Sequence, residues 1–102
     1  SMNVKVKLSW VGSVSGDVAR YNVEVTNDNG DVVVQDTVSS ITRDYVFNAA
    51  SDSVLSASVT AVDDADNESL PAVATLVVPD MTAPLPPTDV TMEIVEVKAE
   101  EV

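Results

Sequence analysis

The chain has 102 residues, 17 acidic and 5 basic side chains, a net charge of −12, no Cys and no His. That length holds one small domain. The charge disfavours nucleic-acid phosphates and anionic membranes as partners, and the missing Cys and His exclude disulfide scaffolds, the usual zinc sites and Ser-His or Cys-His nucleophiles.

Val and Ala dominate the apolar residues, beside one Trp, two Tyr and one Phe. β-Branched residues suit a pleated, half-buried surface, so the composition points to an all-β fold. No apolar run approaches the ~20 residues that span a membrane, and no signal peptide is visible. Ser1 reads as a cloning remnant ahead of Met2. A native start at Met2 implies a small leaderless protein; otherwise the chain is an excised module.

The first strand is expected at residues 4–10, with Val4, Val6, Leu8 and Trp10 on one face and Lys5, Lys7 and Ser9 on the other. A Gly- and Ser-rich turn follows at 12–17. Tyr21, Val23 and Val25 line the inner face of a second strand. Asn27-Asp-Asn-Gly30 predicts a hairpin, because Asn-Gly tolerates positive φ. The chain returns through 31–37.

A fourth strand is expected over 42–47, with Tyr45 and Phe47 inward, and a polar connection over 48–53. Leu55, Ala57, Val59 and Ala61 form the next inner face, and residues 73–78 the last strand. Short strands with a turn signal between each pair indicate an antiparallel sandwich of six strands before Pro79.

Three motifs in this order carry a resemblance: V-x-L-S-W at 6–10, Y-x-V-x-V at 21–25, and L-x-A-x-V-x-A at 55–61 running into Asp63-Asp-Ala-Asp-Asn-Glu-Ser69. Over residues 4–78 the chain resembles a fibronectin type III domain of the bacterial and phage branch, where the last turn is close to A-V-D-x-A-G-N-x-S. The resemblance implies an immunoglobulin-like antiparallel β-sandwich with Trp10 at the centre of the core. It also marks departures. Leu55 stands where the family usually has the corner Tyr, which implies a looser corner at 49–53, and Ala49 replaces a larger core Leu.

The family's opening strand has no room before Trp10. The far end, Ala83-Pro-Leu-Pro-Pro-Thr-Asp-Val90, resembles such an opening. The chain is therefore divided into a sandwich at 3–79, a proline-rich linker at 80–88 and an acidic, β-prone tail at 89–102. Val90, Met92 and Ile94 alternate as a strand would. The tail is the start of a next module, the missing strand of its own or a neighbour's sandwich, or an acidic extension.

Asp63, Asp64, Asp66, Asn67 and Glu68 crowd one turn, and oxygen ligands this dense can hold calcium. The EF-hand spacing is absent, and an ordinary acidic turn is the simpler reading. Asn67-Glu-Ser69 is a formal glycosylation sequon. No phosphate loop or catalytic constellation is present, so neither a cofactor nor enzymatic activity is expected.

The expected core is Val6, Leu8, Trp10, Tyr21, Val23, Val25, Tyr45, Phe47, Leu55, Val59 and Ala61, with Trp10→Ala costing about 3–5 kcal/mol. The resemblance implies a non-catalytic structural module of a phage virion, in the tail or on the capsid surface, with protein partners and homo-oligomers by strand exchange. Alternatives are a spacer in a secreted bacterial polysaccharide-degrading enzyme or surface protein, and a calcium- or glycan-binding module. The implied location is the virion, or otherwise the bacterial exterior.

Overall fold

The computed structural model describes residues 2–100. Ser1, read as a remnant, and the last two tail residues lie outside them. Six strands follow in order: β1 (Asn3–Ser9), β2 (Val18–Asn27), β3 (Val32–Ser39), β4 (Asp44–Ala50), β5 (Ser53–Asp63) and β6 (Ala72–Val78). All pairings are antiparallel. One sheet has the order β3-β2-β5-β6, and β1 pairs with β4 in a second, two-stranded sheet. The two face each other as a sandwich, an arrangement consistent with the immunoglobulin and fibronectin type III type.

The core follows from period-2 patterning. Tyr21, Val23 and Val25 stand opposite Ala61, Val59 and Ala57 on one side and Val38, Asp36 and Val34 on the other. Most of these side chains close onto the β1–β4 sheet, and Val25 is 0% exposed. Ala57 and Ala49, expected on an inner face and at a core position, are buried, and so are Val34, Val62 and Val78, which were not singled out from the sequence. Val62 is buried apart from the main cluster. The register slips between Val18 and Arg20, leaving Val62 opposite Arg20 and bridged to Glu68.

Trp10 is a correction. It follows the end of β1 and is only half-buried, packed against the core rather than at its centre. Its ring lies 5.8 Å from that of Tyr21 at 55°, and its indole Nε1 is buried without a hydrogen-bond partner. The central aromatic is Tyr21. A two-stranded sheet is too narrow to enclose a side chain as large as Trp10 at its end.

Two turns also differ from expectation. Residues 48–50 belong to β4, and the corner after it is held rather than loose. Ser51 N–H donates to Met2 O (2.9 Å), Asp52 N–H to Pro79 O (3.0 Å), and Ser53 Oγ to Ala50 O (2.7 Å). These bonds replace a tyrosine hydroxyl. In the β2–β3 hairpin only Gly30 takes positive φ (82°). Gly30 N–H donates to Asn27 O (3.0 Å) and Asn27 N–H to Asp31 O (3.0 Å), with a register shift at Val25/Thr26. This is a three-residue loop with a bulge, and Asn27 Oδ1 caps it by accepting from Asn29 and Asp31 N–H.

Beyond Val78 the described chain forms no strand. The molecule measures 91 × 32 × 16 Å with a radius of gyration of 24.9 Å, where a compact fold of this size has about 13 Å. An extended segment rises about 3.1–3.4 Å per residue, so the arm after Val78 accounts for most of the long axis.

Candidate functional site

The two long sides of the sandwich are unlike each other. On the β3–β4 side, Asp36 stands opposite Val23 on the inward-facing side of β3, exposed at the edge of the sandwich. Tyr45 Oη donates to Asp36 Oδ2 at 2.6 Å and ties β4 to β3. That bond, with one from Thr37 N–H, holds the Asp36 carboxyl below its ordinary value and pushes the Tyr45 hydroxyl up. An inward charge on an edge strand also discourages pairing with another chain.

The β1–β6 side is open. Leu76 pairs with buried Leu55, so it faces inward, yet it is 45% exposed. Ala72 and Ala74 share that face and are exposed too. A groove of about 240 Å³ runs here between Val6 and Leu8 of β1, Phe47 of β4, Leu55 of β5, and Ala74 and Leu76 of β6. It continues past Val4 toward Val78 and Met81. The outer edge of β1 carries no strand among the described residues.

The acidic turn is built around Asp63. Its Oδ1 accepts from Ala65 N–H (2.9 Å) and Asn67 N–H (2.8 Å), and its Oδ2 from Asn67 Nδ2 (3.0 Å). Asp66 takes φ 65°, at the position where the resembled pattern has Gly, and pairs with Arg20 at 2.6 Å. Asp tolerates the left-handed region better than most residues. Glu68 Oε2 accepts from Thr60 Oγ1 (2.5 Å) and Asn22 Nδ2 (2.9 Å). The carboxylates of Asp63, Asp66 and Glu68 therefore bond within the turn and to neighbouring strands, while Asp64 is exposed. Among the described residues no group of three or more acidic side chains is placed to hold a metal ion.

The hydrogen bonds from the Asn67 side chain and backbone hold the Asp63 carboxyl below its ordinary value of 3.8. Those from Thr60 and Asn22 do the same for Glu68 against 4.5. A lowered folded value means stability present above the ordinary value and lost as pH falls through the lower one. Asp63→Asn is therefore expected to be less stable than the parent at neutral pH, and the gap is expected to narrow below about pH 3.8. Urea denaturation of both chains across that range checks it; a gap independent of pH would contradict it.

The outer face of the four-stranded sheet holds a hollow of about 540 Å³ lined by Asn22, Glu24, Gln35, Thr37, Thr60 and Glu68, among others. Four of its side chains bond to one another: Thr37 Oγ1 donates to Asn22 Oδ1 at 2.8 Å, and Asn22 Nδ2 and Thr60 Oγ1 donate to Glu68.

Val90, Met92 and Ile94, the residues singled out for strand addition, are 81, 99 and 86% exposed and pair with no strand. In this structure they lie apart from their own sandwich. The linker's start is anchored, Thr82 N–H donating to Asp80 Oδ1 (2.9 Å) and Thr82 Oγ1 lying 3.3 Å from Ser51 Oγ. Prolines 84, 86 and 87 then stiffen it. The sequence contained the apolar alternation of the arm, but not the open groove, which depends on inter-sheet packing.

No family model matches the chain, and comparisons with curated proteins and with solved structures return no match.

Proposed function

We propose that this chain is a fibronectin type III-like, non-catalytic structural module of a phage virion, carried in the tail or on the capsid surface and working through protein contacts. The observation that carries the structural reading is the shape: one sandwich, open along one side, with a stiff extended arm leaving from one pole. Such a body links or spaces neighbours. A catalytic role would need a cleft with convergent reactive groups, and the 540 Å³ hollow on the outer sheet face is an open polar surface in which Asn22, Thr37, Thr60 and Glu68 bond to one another.

The virion setting is supported by the A-V-D-x-A-x-N-E-S turn at 61–69 and the D-x-T-A-P-x-P-P exit at 80–87. The same proline exit favours, as a second reading, a spacer module of a secreted bacterial polysaccharide-degrading enzyme or surface protein. Peptide mass spectrometry of purified virions from the producing host separates them. The virion reading expects this chain at structural stoichiometry. Its absence from particles, with recovery in the secreted fraction, would support the spacer.

A further inference from the structure

We infer that the groove between β1 and β6 binds the arm of a second copy of this chain, residues 89–97 entering as a strand antiparallel to β1. The inference deepens, and rests on, the reading of the chain as a linking module.

Four observations converge. The groove is apolar, its lining includes the inward-facing but exposed Leu76, and the β1 edge beside it offers unpaired backbone groups. The arm offers the complement: an extended segment whose Val90, Met92 and Ile94 lie exposed at alternate positions. Exposed apolar residues in such a row on a highly charged chain mark a contact surface.

The register is set by charge. With Met92 opposite Val6, Val90 falls opposite Leu8 and Ile94 opposite Val4, all inward. Thr91 and Glu93 then face outward opposite Lys7 and Lys5, two of only five cations in the chain. Opposite charges directly across an antiparallel pair are favourable.

Direction decides between the chain's own arm and a second copy's. The bonds Ser51–Met2 and Asp52–Pro79 place the start of β1 and the end of β6 at the same pole. The arm leaves from that pole. Folded straight back, it would run parallel to β1 and lose the antiparallel ladder. The proline linker also holds it away from its own groove. An arm from a second copy enters from the opposite pole already antiparallel. Donor segment and acceptor groove are different surfaces, so the contact is heterologous and extends head to tail.

The chain has no cysteine, so a full-length Lys5→Cys/Glu93→Cys variant can be oxidised without interference. The expected result is a ladder of covalent oligomers on a non-reducing gel, abolished when Met92→Asp and Ile94→Asp are added. Sedimentation of the cysteine-free parent is expected to show species that grow with concentration, and the Met92→Asp/Ile94→Asp chain a monomer throughout. These side chains pack on nothing in their own sandwich, so the variant keeps its fold. A crosslinked monomer would assign the groove to the chain's own arm and overturn the inference. So would a ladder that survives the two aspartates, or a monomeric parent at every concentration. Failure here leaves a plain spacer standing, whereas absence from virions would remove the proposed setting without touching self-association.

Discussion

Replacing Tyr21 by alanine is expected to cost about 3–5 kcal/mol and to lower the melting midpoint by about 15–30 °C for a domain of this size. Tyr21 is 3% exposed and sits on β2 between Ala61 of β5 and Val38 of β3. Its ring packs against Trp10 on one side, and the Arg43 guanidinium lies 5.5 Å from its centroid. Its hydroxyl accepts from Ser13 N–H at 3.0 Å and so pins the loop between β1 and β2. Alanine removes all three contacts and leaves a cavity that the surrounding strands cannot close. Tyr21→Phe keeps the packing and loses only the hydrogen bond, a cost of about 1 kcal/mol.

Trp10→Ala is expected at the lower end of the same range, about 3 kcal/mol, because Trp10 is half-buried and its Nε1 is unsatisfied. The two residues touch, so the double variant should cost less than the sum of the singles, by about 0.5–1.5 kcal/mol. Urea denaturation of the four chains gives this directly. Strict additivity would mean that the ring pair contributes no coupling energy.

Val25→Asp is expected to leave no cooperatively folded protein at neutral pH. Val25 is fully buried in the central strand, facing Ala57 and Val34. A carboxylate there has no cation within its layer, and desolvation pushes such a group's value up by about 3–5 units. At about 1.4 kcal/mol per unit, the loss approaches the whole stability of a small domain, roughly 5–15 kcal/mol.

The sign of the pH dependence is opposite to that of Asp63. A raised folded value means that the native state takes up the proton more readily, so stability returns as pH falls. Circular dichroism of Val25→Asp should therefore regain strand signal on acidification. Val77→Asp supplies the contrast: Val77 is on the same sheet but faces outward and is 69% exposed. It should change stability by no more than about 0.5 kcal/mol. Equal effects at the two positions would mean that the inner face is misassigned.

Much of this was legible from local pattern. Alternation in 21–25 and 55–61 marks the two strands at the heart of the larger sheet, because successive side chains must point to opposite faces. The Asn27–Gly30 turn was recognisable, although its bulged form was not. That form depends on Asn29 staying out of the left-handed region while Gly30 enters it. The acidic turn was recognisable too, and the structure shows Asp63 organising it through three accepted hydrogen bonds.

Other features were not legible, for identifiable reasons. Val34 sits in a run of three valines that carries no alternation, and only its pairing with Val25 selects it as the buried one. Val62 is buried by a register slip against β2 and by the bridge to Glu68, neither of which leaves a local trace. For Ala49 the resemblance implied a core position, but the strand that buries it was missed: the stretch was expected to be a polar connection, and β4 extends through it to pair with Val4.

The sequence by itself determined the all-β class, the six strands and the inner faces of β2 and β5, since each depends on periodicity. Tertiary structure alone decided that Tyr21 rather than Trp10 is the central aromatic, that the β3–β4 side is tied shut by Tyr45 and Asp36, and that the β1–β6 side stands open beside an unpaired arm. Periodicity states which way a side chain points. Which strand lies next to it is settled by contacts between residues far apart in the chain, and those exist only once the layers have packed.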